Sequence, residues 1–266
     1  MLIYLYRILT VFLALIKLPH YIYTLHNHIV KGYSVLHWCG IYLGLDGKQK
    51  KTLWIQAANI GDVKSLDKLV RLLLTHSNVF IVLTVHDVHA YELLKRKFHQ
   101  TSQIYVGFFP IDFYPFMYSA WQQIQPSIAI VLDYELPPEH MMMAKIADTP
   151  LWLVNQRYND ETYDLFRRFP WILSNLFSLV DIVWSSSKRD YQELQKLGIS
   201  ANKTRYRGNL KCDCFDHDLL SHQRQQDLIE QIGFMSNEPC ITLLAASIWP
   251  GEERLAISAL QRCLSL

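Results

Sequence analysis

From Lys51 onward, short apolar runs alternate with segments whose apolar residues recur every three or four positions. Residues 52–57 form the first run, and the turn signal Asn59-Ile60-Gly61-Asp62 follows it. Leu66, Leu69, Val70, Leu73 and Leu74 then share one face of a helix. Val79–Val85 is dense in β-branched residues and predicts a buried strand. The pattern continues with a helix over 89–98, a strand over 103–107 and a helix over 113–125 that stops before Pro126. Residues 127–132 (SIAIVL) are the clearest buried strand. Pro138–Ile146 predicts a helix with proline at its start, where first-turn geometry accepts it, and residues 151–154 a strand. One long helical stretch over 163–179, a strand over 182–184, a helix over 188–197 and a strand at Thr204–Tyr206 complete the series. Residues 213–231 read as a linker and surface helix, and 240–246 as a strand opening a further α/β unit.

Strands this apolar, separated by helices, imply a parallel sheet covered on both faces. In such a Rossmann-like, doubly wound fold, ligands bind beyond the carboxyl ends of the strands. The polar clusters at 59–62, 133–135 and 155–157 each follow a strand immediately, and so stand where the chemistry is expected.

Composition changes this picture mainly at the amino terminus. The net charge is only +2, which does not suggest nucleic acid. Up to position 51, however, Arg7, Lys17, Lys31, Lys48, Lys50 and Lys51 face a single carboxylate, Asp46. Residues 9–16 are apolar apart from Thr10, but a membrane span needs about 20 such residues. No small-residue cleavage site follows the run, so a signal peptide fits poorly. An interfacial anchor, a short transmembrane helix and a helix buried in the protein all remain open, and we favour the anchor. Basic residues there would be drawn to anionic lipid at about 1 kcal/mol each. The five cysteines include no CxxC pair, so neither a disulfide framework nor a zinc site is indicated, and a reducing, cytoplasmic setting is expected.

Several residues can carry chemistry, and each also has a plain structural reading. Asp62, opening a helix, is either a general base or an N-terminal cap. Asp133 and Glu135, one strand step apart, should share a face, as a ligand-binding carboxylate pair or as ordinary loop acids. Arg157 can clamp a phosphate or carboxylate with its fork, or form an internal ion pair. Gly208-Asn209-Leu210-Lys211 can offer backbone amides and an ammonium to an anion, or be a simple turn. Ser247 begins SIWPGEE, which opens a helix where amides favour an anion. His86, Asp87 and His89 are close in sequence, but their spacing matches no established metal motif.

In order and spacing these segments resemble the 3-deoxy-D-manno-octulosonic acid (Kdo) transferase family. Asn59-Ile60-Gly61-Asp62 is similar to its SVGE motif, Asp133 to Glu139 (DYELPPE) to ETELWPN, and Asn155 to Asn159 (NQRYN) to NARLS. Gly208 to Asp213 (GNLKCD) matches GNLKYD almost fully, and Ser247 to Glu253 is similar to STHEGEE. The resemblance implies a GT-B-type α/β fold of two Rossmann-like domains, needing no metal or other cofactor. It implies transfer of Kdo from CMP-Kdo to a lipid A precursor, at the cytoplasmic face of the inner membrane, in lipopolysaccharide biosynthesis. It also implies that Asp62 is the base, with Glu135, Arg157, Asn209, Lys211 and Ser247 binding substrate. The expected organisation is a membrane-associated segment at 1–25, a complete acceptor-binding domain at 26–215, and at 216–266 a linker with a donor-binding domain only begun. Leu266 falls before the family's PRHPER-like and GELM-like motifs, so most of the donor site is expected to be missing and the chain inactive alone. A non-catalytic, membrane-bound or lipid-binding module of the same fold is the alternative. Asp62 stands where the family has Glu, a reach shorter by one methylene.

Overall fold

Along the chain the strands are β1 (Lys51–Ala57), β2 (Val79–Val85), β3 (Ile104–Phe108), β4 (Ile128–Leu132), β5 (Leu151–Gln156), β6 (Ile182–Ser185) and β7 (Thr204–Tyr206). The helices between them are α1 (Ile60–His76), α2 (Val88–Phe98), α3 (Tyr114–Ile124), α4 (Pro138–Ile146), α5 (Asp160–Arg168), α6 (Pro170–Ser178) and α7 (Lys188–Lys196). A further helix, α8, spans Glu252–Leu264. The structure is a computed structural model and describes residues 6–8, 10–11, 30, 32–45, 51–76, 78–133, 135–214, 226–227, 229–231, 243–246 and 248–264. The chain divides into two compact units, Met1–Phe215 and Asp216–Leu266.

The first unit holds one seven-stranded sheet in the order β3-β2-β1-β4-β5-β6-β7. Every pairing is parallel. The strand order reverses at β1, so the topological switch point lies between β1 and β4. There the crossovers diverge and leave a crevice at the carboxyl edge.

Side chains alternate across this sheet into two cores. Leu53, Ile55, Ile81, Leu83, Ile130 and Leu132 pack with Val63, Leu66 and Val70 of α1 and Ala90 and Leu94 of α2. On the other face Trp54, Val82, Ala129, Val131, Leu153 and Val183 meet residues of α3 to α7. Each large apolar side chain buried here contributes about 1.5–3 kcal/mol. A buried polar pair marks the second core: Trp121 Nε1 donates to His140 Nδ1 at 3.2 Å. His140 is fully buried, and burial pushes its pKa down to about 3, so it stays neutral.

The strand and helix positions follow the hydrophobic pattern closely, with two differences. The single helix expected over 163–179 is two, α5 and α6, because Pro170 supplies no amide to continue the first and instead opens the second. The strand expected over 240–246 does not form at residues 243–246: among the described residues they have no neighbouring strand to pair with, and Leu244 is 86% exposed. The remainder of that segment lies outside the described residues.

Of the expected membrane segment, only residues 6–8 and 10–11 fall within the described residues, and these are helical. Among the described residues no helix is long and apolar enough to cross a membrane. Arg7 forks onto Glu139, with Nε–Oε1 at 2.8 Å and Nη2–Oε2 at 3.0 Å, and lies 4.1 Å over the Tyr114 ring. Its charge, counted above toward a lipid surface, is therefore engaged by a buried carboxylate. Tyr6 OH donates to Asp112 Oδ2 at 2.8 Å. Asp112 in turn accepts the Glu139 and His140 amides at the start of α4, at 3.1 and 3.0 Å.

Burial pushes the Asp112 carboxyl up to about 6, against those amides and Tyr6, with the Glu139 charge adding to the rise. Its ordinary value is 3.8, so between there and about pH 6 the unfolded chain ionises while the folded one resists. The Asp112 contribution is therefore fully present below the unfolded value and is lost as pH rises toward about 6. Asp112→Asn should remove this falling component. Urea midpoints of both proteins across that window check it, and parallel curves would contradict the assignment.

Candidate functional site

At the end of β1 the chain turns directly into α1. Asn59 is the N-cap: its Oδ1 accepts Gly61 N at 2.8 Å and Asp62 N at 3.2 Å, and its carbonyl accepts Val63 N. Asp62, three residues on, reaches back. Its Oδ2 accepts Asn59 N at 3.3 Å and Ala58 N at 3.1 Å, which completes a capping box. The two readings of Asp62 are thus not exclusive. One oxygen caps the helix, while Oδ1 is buried without a hydrogen bond, in a residue only 1% exposed.

Two charges act on that carboxylate. Burial raises the Asp62 pKa and the Asp133 charge raises it further, against the Asn59 and Ala58 amides and the positive charge of Lys211. Lys211 is brought there by the segment after β7, whose 3-10 turn Leu210–Cys214 packs on α1. Its Nζ lies 3.7 Å from where a Cβ on Gly61 would sit, an ordinary contact distance; the tight neighbour of such a Cβ is Asn59 Oδ1 at 3.0 Å, so glycine at 61 leaves room for the N-cap.

In the Gly208–Lys211 segment the Leu210 and Lys211 amides are already taken. Leu210 N donates to Asn155 Oδ1 at 3.1 Å, Lys211 N to Asn209 Oδ1 at 3.0 Å, and Cys212 N to Asn209 O at 2.9 Å. The first two of these amides, part of the expected anion cradle, are occupied by Asn155 and Asn209, and the segment brings the Lys211 ammonium to the site. Asn155 has φ 61°, in the left-handed region that Asn tolerates, at an irregularity in the β5–β6 register. It joins the β5 end to the loop that carries Lys211.

Asp133 and Glu135 do not form a shared-face pair. β4 ends at Leu132, and Asp133 turns to φ 62°, which breaks the strand alternation. Asp133, with its side chain 1% exposed, receives the Arg157 fork, with Nε–Oδ1 at 2.6 Å and Nη2–Oδ2 at 2.7 Å. Of the two readings of Arg157, the internal ion pair is the one observed. A cavity of about 430 Å³ opens beside Arg157, Tyr158, Asn159 and Thr162.

Glu135 goes elsewhere. Its Oε2 meets His86 Nε2 at 3.1 Å and the Gln56 amide. Burial pushes its pKa up, but His86 and Gln56 outweigh burial and hold it below the ordinary carboxylate value. Gln56 and His86 were not singled out as partners of Glu135 from sequence. The sequence signal for Gln56 is an amide within the apolar run of β1, and the structure buries it fully. Asp87 caps α2 through Ala90 N at 2.8 Å, and among the described residues no group of three His, Cys, Asp or Glu side chains could hold a metal ion.

The crevice thus gathers Asp62, Asp133 with Arg157, and Lys211, beside the Gln56–His86–Glu135 cluster. Ser247 lies outside the described residues. Trp249 N and Gly251 N in the same loop donate to Glu252 and Glu253, at 2.8 and 2.6 Å.

Residues 37–214 match the family model described as 3-deoxy-D-manno-octulosonic-acid transferase (kdotransferase). A bifunctional glycosyltransferase/methyltransferase from Fusobacterium nucleatum is 22% identical over 219 residues, covering 82% of this chain and 33% of that protein. A 3-deoxy-D-manno-octulosonic acid transferase from Haemophilus influenzae is 20% identical over 221 residues, covering 83% of this chain and 50% of the other. The chain therefore spans between a third and a half of the curated relatives it matches. Among solved structures, Anabaena HepE in complex with UDP and glucose superposes with a TM-score of 0.53 at 18% identity, covering 81% of this chain and 58% of that one. The UDP-GlcNAc 2-epimerase from Neisseria meningitidis does so at 0.50 and 11% identity, covering 70% and 55%. These two likenesses concern the fold. The family match spans the whole sheet and every element that carries the crevice. The chain therefore belongs to the 3-deoxy-D-manno-octulosonic-acid transferase family of glycosyltransferases, and its sheet has the Rossmann-like architecture of a GT-B amino-terminal domain.

Proposed function

We propose that this chain is the acceptor-binding side of a transferase that moves Kdo from CMP-Kdo to a lipid A precursor, working at the cytoplasmic face of the inner membrane. The observation that carries the reading is Asp62 at the switch-point crevice, with one carboxylate oxygen fixed by the capping box and the other without a partner. Burial and the nearby Asp133 raise its pKa, which makes it a stronger proton acceptor than an exposed aspartate. In the proposed step Asp62 takes the proton of an acceptor hydroxyl. That oxygen bonds to the anomeric carbon of Kdo as the bond from that carbon to the CMP phosphate oxygen breaks, and the electron pair leaves with CMP. Lys211 offers a positive charge beside the reacting groups. Glu135 and Asn209 shape the acceptor side, while Arg157 acts through Asp133. Ser247 is assigned to donor binding on resemblance alone.

A second reading, a non-catalytic lipid-binding module of the same fold, draws on the engagement of Asp62 Oδ2 in capping α1. One assay separates the two. The purified chain, alone and supplemented with the carboxyl-terminal half of a Kdo transferase, is incubated with labelled CMP-Kdo and a lipid A precursor. Transfer of label to lipid is expected in the supplemented reaction. Binding of the lipid with no transfer in either reaction would favour the module. Transfer from a UDP-sugar in place of CMP-Kdo would keep the enzyme and change the donor.

A further inference from the structure

The Gln56–His86–Glu135 cluster has a polarity that its hydrogen bonds determine. His86 Nε2 is 3.1 Å from Glu135 Oε2 and 3.2 Å from Gln56 Nε2. An ionised carboxylate can only accept, so the imidazole must carry its proton on Nε2 and donate it to Glu135. The Gln56 amide also donates to Glu135, and its approach to Nε2 is then a contact rather than a bond. The ring is held by Phe109, edge to face at a centroid distance of 5.1 Å. The His86 side chain is 46% exposed and that of Glu135 21%. In the neutral imidazole two acceptors are left over, His86 Nδ1 and Glu135 Oε1, neither of which accepts a hydrogen bond from the described residues.

We infer that His86 is a specificity-determining residue of the crevice, and that with Glu135 it forms a two-acceptor subsite for neighbouring hydroxyl groups of a sugar. Two lone-pair atoms on partly open side chains suit a ligand that donates twice, as a vicinal diol does. They repel a phosphate or carboxylate, which brings only acceptors. Gln56 from β1 and Phe109 after β3 are neutral, Glu135 comes from the loop after β4, and Asp87 and His89 lie on the same segment as His86. The anion-attracting charge of the crevice, Lys211, belongs to the separate group around Asp62. The crevice is thus divided into a hydroxyl-accepting part and a cationic part. This inference deepens the proposed acceptor role of the site and rests on it for the identity of the sugar, while its polarity rests on the His86–Glu135 geometry alone.

Two measurements test it. In the full chain, the imidazole nitrogens of His86 are followed by nitrogen-15 NMR at about pH 8, where an ordinary imidazole is neutral. The proton is expected on Nε2. Methyl α-mannoside should move the Nδ1 resonance, and inorganic phosphate at the same concentration should not. A proton on Nδ1, or a response to phosphate as large as that to the sugar, would overturn the subsite. The second measurement is His86→Gln, whose amide still reaches Glu135 but places no acceptor at the Nδ1 position. In the transfer assay the variant should raise KM for the lipid acceptor about five- to tenfold, the usual worth of one hydrogen bond, with kcat within about twofold. Wild-type kinetics in the variant would mean that His86 only braces Glu135, and would sink the inference. The imidazole readout needs no catalysis, so failure of the wild type to transfer Kdo would remove the donor and acceptor named above without touching this result.

Discussion

Asp62→Asn is expected to lower transfer by roughly 10²- to 10⁴-fold, the range that a positioned general base supplies. The substitution separates the two functions of this side chain. An asparagine oxygen still accepts the Ala58 and Asn59 amides, so the capping box survives and the melting temperature should stay close to that of the wild type. What it loses is the lone pair that takes a proton. Asp62→Ala loses both, with about 1 kcal/mol of stability in addition to the lost rate. Initial rates beside thermal melts make the comparison. If Asp62→Asn transfers at the wild-type rate, the base lies elsewhere and Asp62 is only a cap.

The largest effect on stability is expected at Arg157. Asp133 is almost wholly buried, and both of its oxygens are held by the Arg157 fork. Truncating Arg157 to alanine leaves that charge in the sheet edge without its counter-ion. Breaking a fully buried pair costs about 3–5 kcal/mol; since 44% of the Arg157 side chain meets solvent, water can replace part of the interaction, and about 2–3 kcal/mol is expected. Asp133→Asn in the same chain removes the stranded charge and should recover at least about 1 kcal/mol in a double-mutant cycle. Urea denaturation of the four proteins measures this directly. Additive losses would mean that the pair is not coupled. Arg157→Ala also reaches the crevice: an uncompensated Asp133 raises the Asp62 pKa further, because its charge already acts in that direction.

The sheet was readable in the sequence because burial on both faces turns its central strands into apolar runs, and Val79–Val85 falls where the pattern put it. The α5–α6 break was missed because the apolar period runs straight through Phe169 and hides the effect of Pro170. For the crevice, the sequence indicated which loops matter but not the partners within them. Alternation put Asp133 and Glu135 on one face, whereas Asp133 takes the left-handed conformation and the two carboxylates have different partners. The pairing of Arg157 with Asp133 and the contact of Lys211 with the β1–α1 turn join segments far apart in the chain, which no local pattern encodes. Arg7 was counted as a lipid-facing cation, since nothing local announces that Glu139 will take its charge.

The all-parallel strand order also bears on how the protein acquires its working surface. No two neighbouring strands can be closed by a hairpin, and the β1–β4 pairing that sets the crevice joins Leu53 to Ile128 across the intervening β2 and β3 units. Such distant pairings carry the heaviest loop-closure cost and slow the search for the native state. On a ribosome, Asp62 would emerge well before the residues that set its chemistry. Its environment is complete only once β4 has docked and the segment bearing Lys211 has followed.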